Sequence, residues 1–366
     1  MPRPRTLLLT AAGWLALHAV VWALVVKFVP TQYPWWRDVR SIFEHWDAWH
    51  YSVIANFGYA GPVRWAFYPL YPLTVRALGR LTGLQTRPDL VGVIFSTFVF
   101  ALFCLLQARL SNSADERLHA LKPETLWGWL CFLSWPASWV FHSHHTEALF
   151  LLLSFGAFVA ARKGRWLAAA LLAGLCALTR NQGVFVAVAV ACTSAWPQRE
   201  WRRRCLIFTG SGLISFLLFA LWPAYQYWAT GNPFMSLVAQ GQFAPQATTL
   251  YQLAGTIWFA NFWQHPTWNF YLHHVLFLVL NLALVALLRR REYALSLYVG
   301  LSLWLPLYLG QLENTYRYGA ILFPALFTLG ELARRLPWSM RWTLLGALVW
   351  LNLVCTWDYA VGLWAY

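Results

Sequence analysis

The chain has 366 residues, of which 60% are hydrophobic and only 11% are charged. Soluble domains carry about 25% charged residues, so the composition excludes a water-soluble globular protein and leaves a chain whose surface faces lipid. The net charge of +14 is scattered in small basic clusters between apolar runs, which excludes a nucleic-acid-binding face and fits orientation signals beside membrane spans.

Backbone groups in lipid must hydrogen-bond within their own segment or a closed barrel. The apolar runs here are continuous rather than alternating, so helices are predicted. One crossing needs about 20 apolar residues. On that measure spans fall near 7–29, 89–109, 125–141, 147–161, 166–179, 183–196, 205–223, 271–288, 293–309, 319–333 and 342–360. The predicted fold is an all-α polytopic membrane protein of about eleven transmembrane helices, one domain over 1–366. The first run resembles a signal peptide but lacks a small-residue cleavage site, so it is predicted to stay as the first span. The six cysteines lie singly in or beside apolar runs without a CxxC pair, and are expected to be small core residues.

Arg3, Arg5, Arg109, the Arg162–Arg165 cluster, Arg202, Arg203, Arg204, Arg289, Arg290 and Arg291 all fall on one side of this topology. The positive-inside rule makes that side cytoplasmic, with the N-terminus in and the C-terminus out. The opposite side then carries the two longest loops, about 30–88 and 224–270. Both are rich in Trp, Tyr and Pro, as interfacial segments are. The first of them is expected to hold interfacial helices.

Candidate chemistry gathers on that outer side. The first loop contains Glu44-His45-Trp46-Asp47-Ala48-Trp49-His50-Tyr51. Helical spacing puts Asp47, His50 and Tyr51 on one face, with Trp46, Trp49 and Phe57 available as anchors. A carboxylate at the lip of an apolar bundle suits a general base; a plain interfacial amphipathic helix is the other reading. The run 67–73, Phe-Tyr-Pro-Leu-Tyr-Pro-Leu, is predicted as a rigid turn into an interfacial helix on which Arg76 and Arg80 snorkel. His142, His144, His145 and Glu147 share a short outer turn. Their imidazoles and carboxylate suit a divalent ion, a phosphate or a sugar hydroxyl, and the turn could equally be structural. Glu147 at a span end is costly without a partner, which marks it as functional. Arg180 and Asn181 occupy the next outer turn, where the planar guanidinium fork matches a phosphate. In the last outer turn Tyr316 and Arg317 could clamp a phosphate or stack on a sugar, or Arg317 could pair with Glu313 four residues away. His18 is expected to face the bundle.

These residues also carry a resemblance. His45-Trp46-Asp47-Ala48-x-His50-Tyr51, with Gly58-Tyr59, resembles the first luminal-loop signature of PIG-V-type mannosyltransferases. Ala66-Phe67-Tyr68-Pro69-x-x-Pro72 is similar to the motif that follows it. Trp135-Pro136-Ala137-Ser138 through Thr146-Glu147-Ala148-Leu149-Phe150, the turn Thr179–Gly183, and Tyr316-Arg317-Tyr318 with Phe323-Pro324 continue the match in order, from about 45 to 325. Two departures stand out: Thr146 replaces the usual Ser, and the turn reads Arg-Asn-Gln-Gly rather than Arg-Ser-Asn-Gly. They leave the acceptor open.

The resemblance implies a GT-C-like bundle and an inverting glycosyltransferase. Its sugar, by family most often mannose, would move from a polyprenyl-phosphate donor to a lipid-linked or glycan acceptor on the periplasmic, extracellular or luminal face. Asp47 and Glu147 are the expected catalytic acids. Substrate binding is expected from His45, Trp46, His50, Tyr51, His144, His145, Arg180, Asn181, Tyr316 and Arg317. No cofactor is expected, with a divalent metal left open; membrane lipids are partners and nucleic acid is not. The competing reading is a transporter or scramblase of lipids or lipid-linked sugars. Such proteins place polar groups near the bilayer midplane, in repeated halves, whereas here they crowd the span ends.

Overall fold

The computed structural model describes residues 1–28, 42–242, 268–308, 314–363 and 365. All regular structure among the described residues is helical. Five helices are long and apolar enough to cross a membrane: α1 (Pro4–Phe28), α4 (Pro88–Ser111), α9 (Trp201–Thr230), α11 (Trp268–Arg289, apolar from Leu272) and α15 (Trp338–Ala360). Between them lie the shorter α5 (Leu126–Leu133), α6 (Glu147–Arg162), α7 (Trp166–Ala177), α8 (Gly183–Ala195), α12 (Tyr293–Tyr308), α13 (Thr315–Ala320) and α14 (Phe323–Ala333). The chain is a polytopic membrane protein. Among the described residues the cysteines are all free thiols.

The pattern of α1 shows why these runs pack as they do. Leu7, Ala11, Trp14, His18, Trp22 and Val25 are its buried residues, spaced three or four apart on one stripe. The remaining surface is apolar as well, as lipid requires. In α9 the same rule leaves Leu213, Phe216, Leu217 and Leu221 exposed. One large core joins α1, α4–α8 and α11–α15, with Phe100, Phe132 and Phe141 stacked at its centre.

Three predicted boundaries change. The span expected over 125–141 is not one helix, because α5 stops at Leu133 and a 3-10 turn covers Ser138–His142. Pro136 cannot donate to a helical ladder. The carbonyls exposed by the break are collected from elsewhere: Asn352 of α15 donates Nδ2 to Trp135 O and to Ser138 Oγ, both at 2.8 Å. His18 of α1 meets Asn352 Oδ1 at 2.6 Å. Irregular backbone at membrane depth is tolerated where protein satisfies it. The span expected over 319–333 likewise divides into α13 and α14, with Pro324 in the first turn of α14. Third, α9 runs through Pro223 to Thr230, so residues 224–230 are helix rather than loop.

The first long loop, where interfacial helices were expected, is helical in part. It contains α2 (Asp47–Phe57), a 3-10 turn over Pro62–Ala66 and α3 (Leu70–Thr82), and α10 (Met235–Gln240) packs against that turn. Tyr51, Ile54 and Ala55 of α2 bury against Phe67, Tyr71, Val75 and Val91, which fastens α2 to α3 and α4. Leu70 N donates to Leu178 O at 2.9 Å, tying the start of α3 to the end of α7.

Candidate active site

Four helix ends meet where α2 rests on the bundle. Asp47 is the first residue of α2 and Glu147 the first of α6, positions where a negative charge meets the positive end of a helix dipole. Arg317 comes from α13. Arg180 stands in the turn between α7 and α8, which closes so tightly that a Cβ on Gly183 would lie 2.2 Å from the Cys176 carbonyl carbon. Only glycine fits there.

The four side chains form one chain of ion pairs. Arg317 donates Nη1 to Asp47 Oδ2 and Nε to Glu147 Oε1, each at 2.5 Å. Arg180 donates Nη1 to the same Glu147 Oε1 at 2.5 Å and to Thr146 Oγ1 at 2.9 Å. Its Nε reaches Gln182 Oε1 at 3.3 Å, and the Tyr318 ring lies 5.8 Å from the guanidinium. Two carboxylates and two guanidiniums cancel in formal charge, which is what makes the burial tolerable. The acids differ in access: the Glu147 side chain is 0% exposed and that of Asp47 31%. Burial pushes the Asp47 carboxyl up more than any other single influence, but the Arg317 charge, His145 and the hydrogen bond from Arg317 together outweigh it and hold the pKa below its ordinary 3.8.

Around Asp47 the backbone is unusual. Trp46 has φ 55°, a left-handed conformation that bulky residues rarely adopt. Its indole Nε1 donates to Leu363 O at 3.1 Å, anchoring the turn that aims Asp47. His45 stands edge-on to Tyr359 at 5.9 Å, and burial lowers its pKa to about 4, so it is neutral near pH 7. His50 stacks on Phe67 at 4.6 Å. Its pKa is lowered, first by burial, with Asp47 opposing and Arg64 assisting.

The histidines of the 142–147 turn diverge. His145 approaches Tyr359 and Trp139 and meets Ser143 Oγ at 2.8 Å. His144 meets the Tyr71 hydroxyl at 3.0 Å, and Tyr71 meets Ser96 Oγ at 3.0 Å; a Cβ on Gly92 would collide with the His144 ring. His142 turns away, towards His18, Trp14 and Trp22. Among the described residues no three His, Cys, Asp or Glu side chains gather as metal ligands.

Of the residues singled out in the sequence, Asp47, Glu147, Arg180 and Arg317 are brought into direct contact. His45, Trp46, His50, Tyr51 and His145 surround them, and His144 lies one layer behind. Asn181 accepts from Gln182 N at 2.9 Å within its own turn. Tyr316 is fully buried and stacked on His273 at 4.4 Å, its carbonyl accepting from Trp135 Nε1. Glu313 lies outside the described residues. Sequence reasoning missed Arg64, whose guanidinium lies 5.4 Å from the Trp49 ring centroid, on the side of α2 that carries His50. Its isolation as a cation inside the apolar and aromatic stretch 61–68 was the available signal. Tyr71 was read only as part of a rigid turn.

A model of the family described as mannosyltransferase (PIG-V) matches residues 34–229, just over half of the chain. That stretch contains Asp47, Glu147 and Arg180 but not Arg317. The human GPI alpha-1,6-mannosyltransferase 2 is 29% identical over 144 residues, its mouse counterpart 32% over 145 and the rat one 30% over 147. Each match covers 38% of this chain and 29% of the relative, so the chain spans less than a third of the length of the curated relatives it matches. No solved structure matches the chain. The family match and the helical bundle agree: this multi-pass membrane protein belongs to the mannosyltransferase (PIG-V) family.

Proposed function

We propose that the protein is an inverting glycosyltransferase with a GT-C-like bundle of about eleven spans. It moves a sugar, most simply mannose, from a polyprenyl-phosphate donor to a lipid-linked or glycan acceptor on the non-cytoplasmic face. The observation that carries this reading is the unequal pair of acids joined by Arg317, one solvent-accessible and one sealed. Asp47 is the base. It takes the proton of an acceptor hydroxyl, the oxygen attacks the anomeric carbon from the face opposite the lipid phosphate, and the polyprenyl phosphate leaves with the bonding pair. A single positioned carboxylate suffices for such a displacement.

Glu147 is the scaffold acid, fixing Arg180 and Arg317 beside the position of the leaving phosphate. Arginine donors set in place before the reaction stabilise the charge that develops there. In the unliganded site Arg317 also weakens Asp47 as a base. A donor phosphate that draws the guanidinium towards itself restores that basicity, so the base sharpens when the donor is bound. His45 and His50, with lowered pKa values, act as neutral hydrogen-bonding groups for the acceptor.

The test is transfer from radiolabelled polyprenyl-phosphate-mannose to a native lipid extract, comparing wild type with Asp47→Asn. Loss of transfer with donor binding retained supports the assignment. Near-normal transfer by Asp47→Asn beside an inactive Glu147→Gln exchanges the roles of the two acids. The orientation is tested by accessibility labelling, with 199–204 expected on the cytoplasmic side and 232–242 outside. Labelling of 232–242 from the cytoplasm would overturn the placement of the site.

A further inference from the structure

At the far end of α2 from Asp47 lies a cavity of about 670 Å³ between α2, α3 and the turn into α4. Its polar lining is Asn56, Arg76, Arg80, Gln85 and Thr86. Asn56 lies nine helical steps from Asp47, about 14 Å at 1.5 Å per residue. A donor phosphate must stand one bond from the anomeric carbon that the Asp47-activated hydroxyl attacks, so this cavity is not that phosphate's place.

Two features of the cavity bear on what it would hold. Arg76 and Arg80 stand four residues apart on one face of α3, where like charges repel. Neither makes an ion pair among the described residues. Asp89, next in sequence to the lining residue Pro88, is already held by Arg87, which donates Nε and Nη2 to its two carboxylate oxygens at 3.0 and 2.9 Å. The uncompensated pair therefore presents two guanidinium forks to one half-open cavity, with amide and hydroxyl groups beside them. That is the donor set which takes the oxygens of a phosphate ester. Apolar side chains complete the lining, Val75, Leu84, Pro88 and Phe57, the last 75% exposed. A ligand that is anionic at one end and oily at the other matches both features.

We propose that this cavity is a second, non-catalytic site for a phosphate ester, the phosphoryl headgroup of a membrane amphiphile, gripped by Arg76 and Arg80. It is independent of the proposed transferase reading and stands even if Asp47 is not the base.

The test uses the full chain purified in a neutral detergent, with native mass spectrometry and thermal unfolding as readouts. The probes are phosphatidate, diacylglycerol of the same acyl chains and inorganic phosphate. Phosphatidate should bind saturably and raise Tm, and diacylglycerol should do neither. Arg76→Gln/Arg80→Gln should weaken phosphatidate binding by roughly tenfold or more, while Arg76→Lys/Arg80→Lys, which keeps the charge, falls between. The Tm of each variant without ligand identifies any general unfolding. Arginine-dependent binding of phosphatidate alone assigns the site to a lipid headgroup, and binding of inorganic phosphate as well assigns it to the phosphate group itself. Equal phosphatidate binding by wild type and the glutamine variant, or equal binding of diacylglycerol, overturns the proposal.

Discussion

Two polar clusters are buried in this bundle, and they are built on opposite principles. One joins His18, Asn352 and Ser138 to the carbonyl of Trp135 through uncharged groups. The other joins Asp47, Arg317, Glu147 and Arg180 through full charges. The neutral cluster repairs a local fault, since Pro136 breaks the helix and Asn352 collects the exposed acceptors. Each such bond contributes about 1 kcal/mol net, and its value lies chiefly in leaving no buried acceptor unmet. The charged cluster repairs nothing. It carries the desolvation cost of four ions, which hydrophobic residues of similar volume would avoid. Where a fold retains such an arrangement at a partly open surface, chemistry is the better explanation than stability.

The largest effect that could break this contrast is catalytic. Asp47→Asn should lower turnover about 10²–10⁴-fold, the usual contribution of a positioned base, while leaving the fold intact. Steady-state kinetics on purified protein measure it, and a loss confined to KM would argue for binding alone. Next comes Glu147→Gln. It leaves two buried guanidiniums short of a counter-charge, which costs about 3–5 kcal/mol, so both Tm and activity should fall.

Asn352→Leu is the matched perturbation of the neutral cluster. It strands the Trp135 carbonyl and should cost about 1–3 kcal/mol, with turnover per folded molecule unchanged. Equal loss of activity and stability there would erase the distinction between the clusters.

The smallest expected effect is on pH dependence. The native pKa of Asp47 is depressed, so its pairing with Arg317 stabilises above the unfolded value of 3.8 and is lost as pH falls through the lower native one. Asp47 should therefore produce no acid limb in kcat/KM between about pH 5 and 8. Arg317→Gln removes the charge that opposes burial, so the limb should move upwards; a profile unchanged by that variant would separate Asp47 from Arg317.

Lipid imposes its demands locally, residue by residue, and so the membrane class, the helical character and the positions of most long apolar helices could be read from apolar runs alone. The predicted 183–196 and observed Gly183–Ala195 differ by a single residue. The first-loop helix could be read too, because interfacial aromatics and the spacing of Asp47, His50 and Tyr51 are also local signals. Each of the four charged residues stood out singly, Glu147 as an acid costly without a partner, Asp47 as an acid at the lip of the bundle, and Arg180 and Arg317 as guanidiniums suited to a phosphate.

Which ion meets which was a tertiary matter. Asp47 and Arg317 are 270 residues apart, Glu147 and Arg317 170. No periodicity links such positions, whereas the four-residue spacing of Glu313 and Arg317 suggested a local pairing instead. The breaks at Pro136 and before Pro324 were equally beyond local reading. Proline can be carried inside a helix, as Pro223 is in α9, or can end one. The outcome depends on whether another part of the bundle, here Asn352, stands ready to take the released carbonyls.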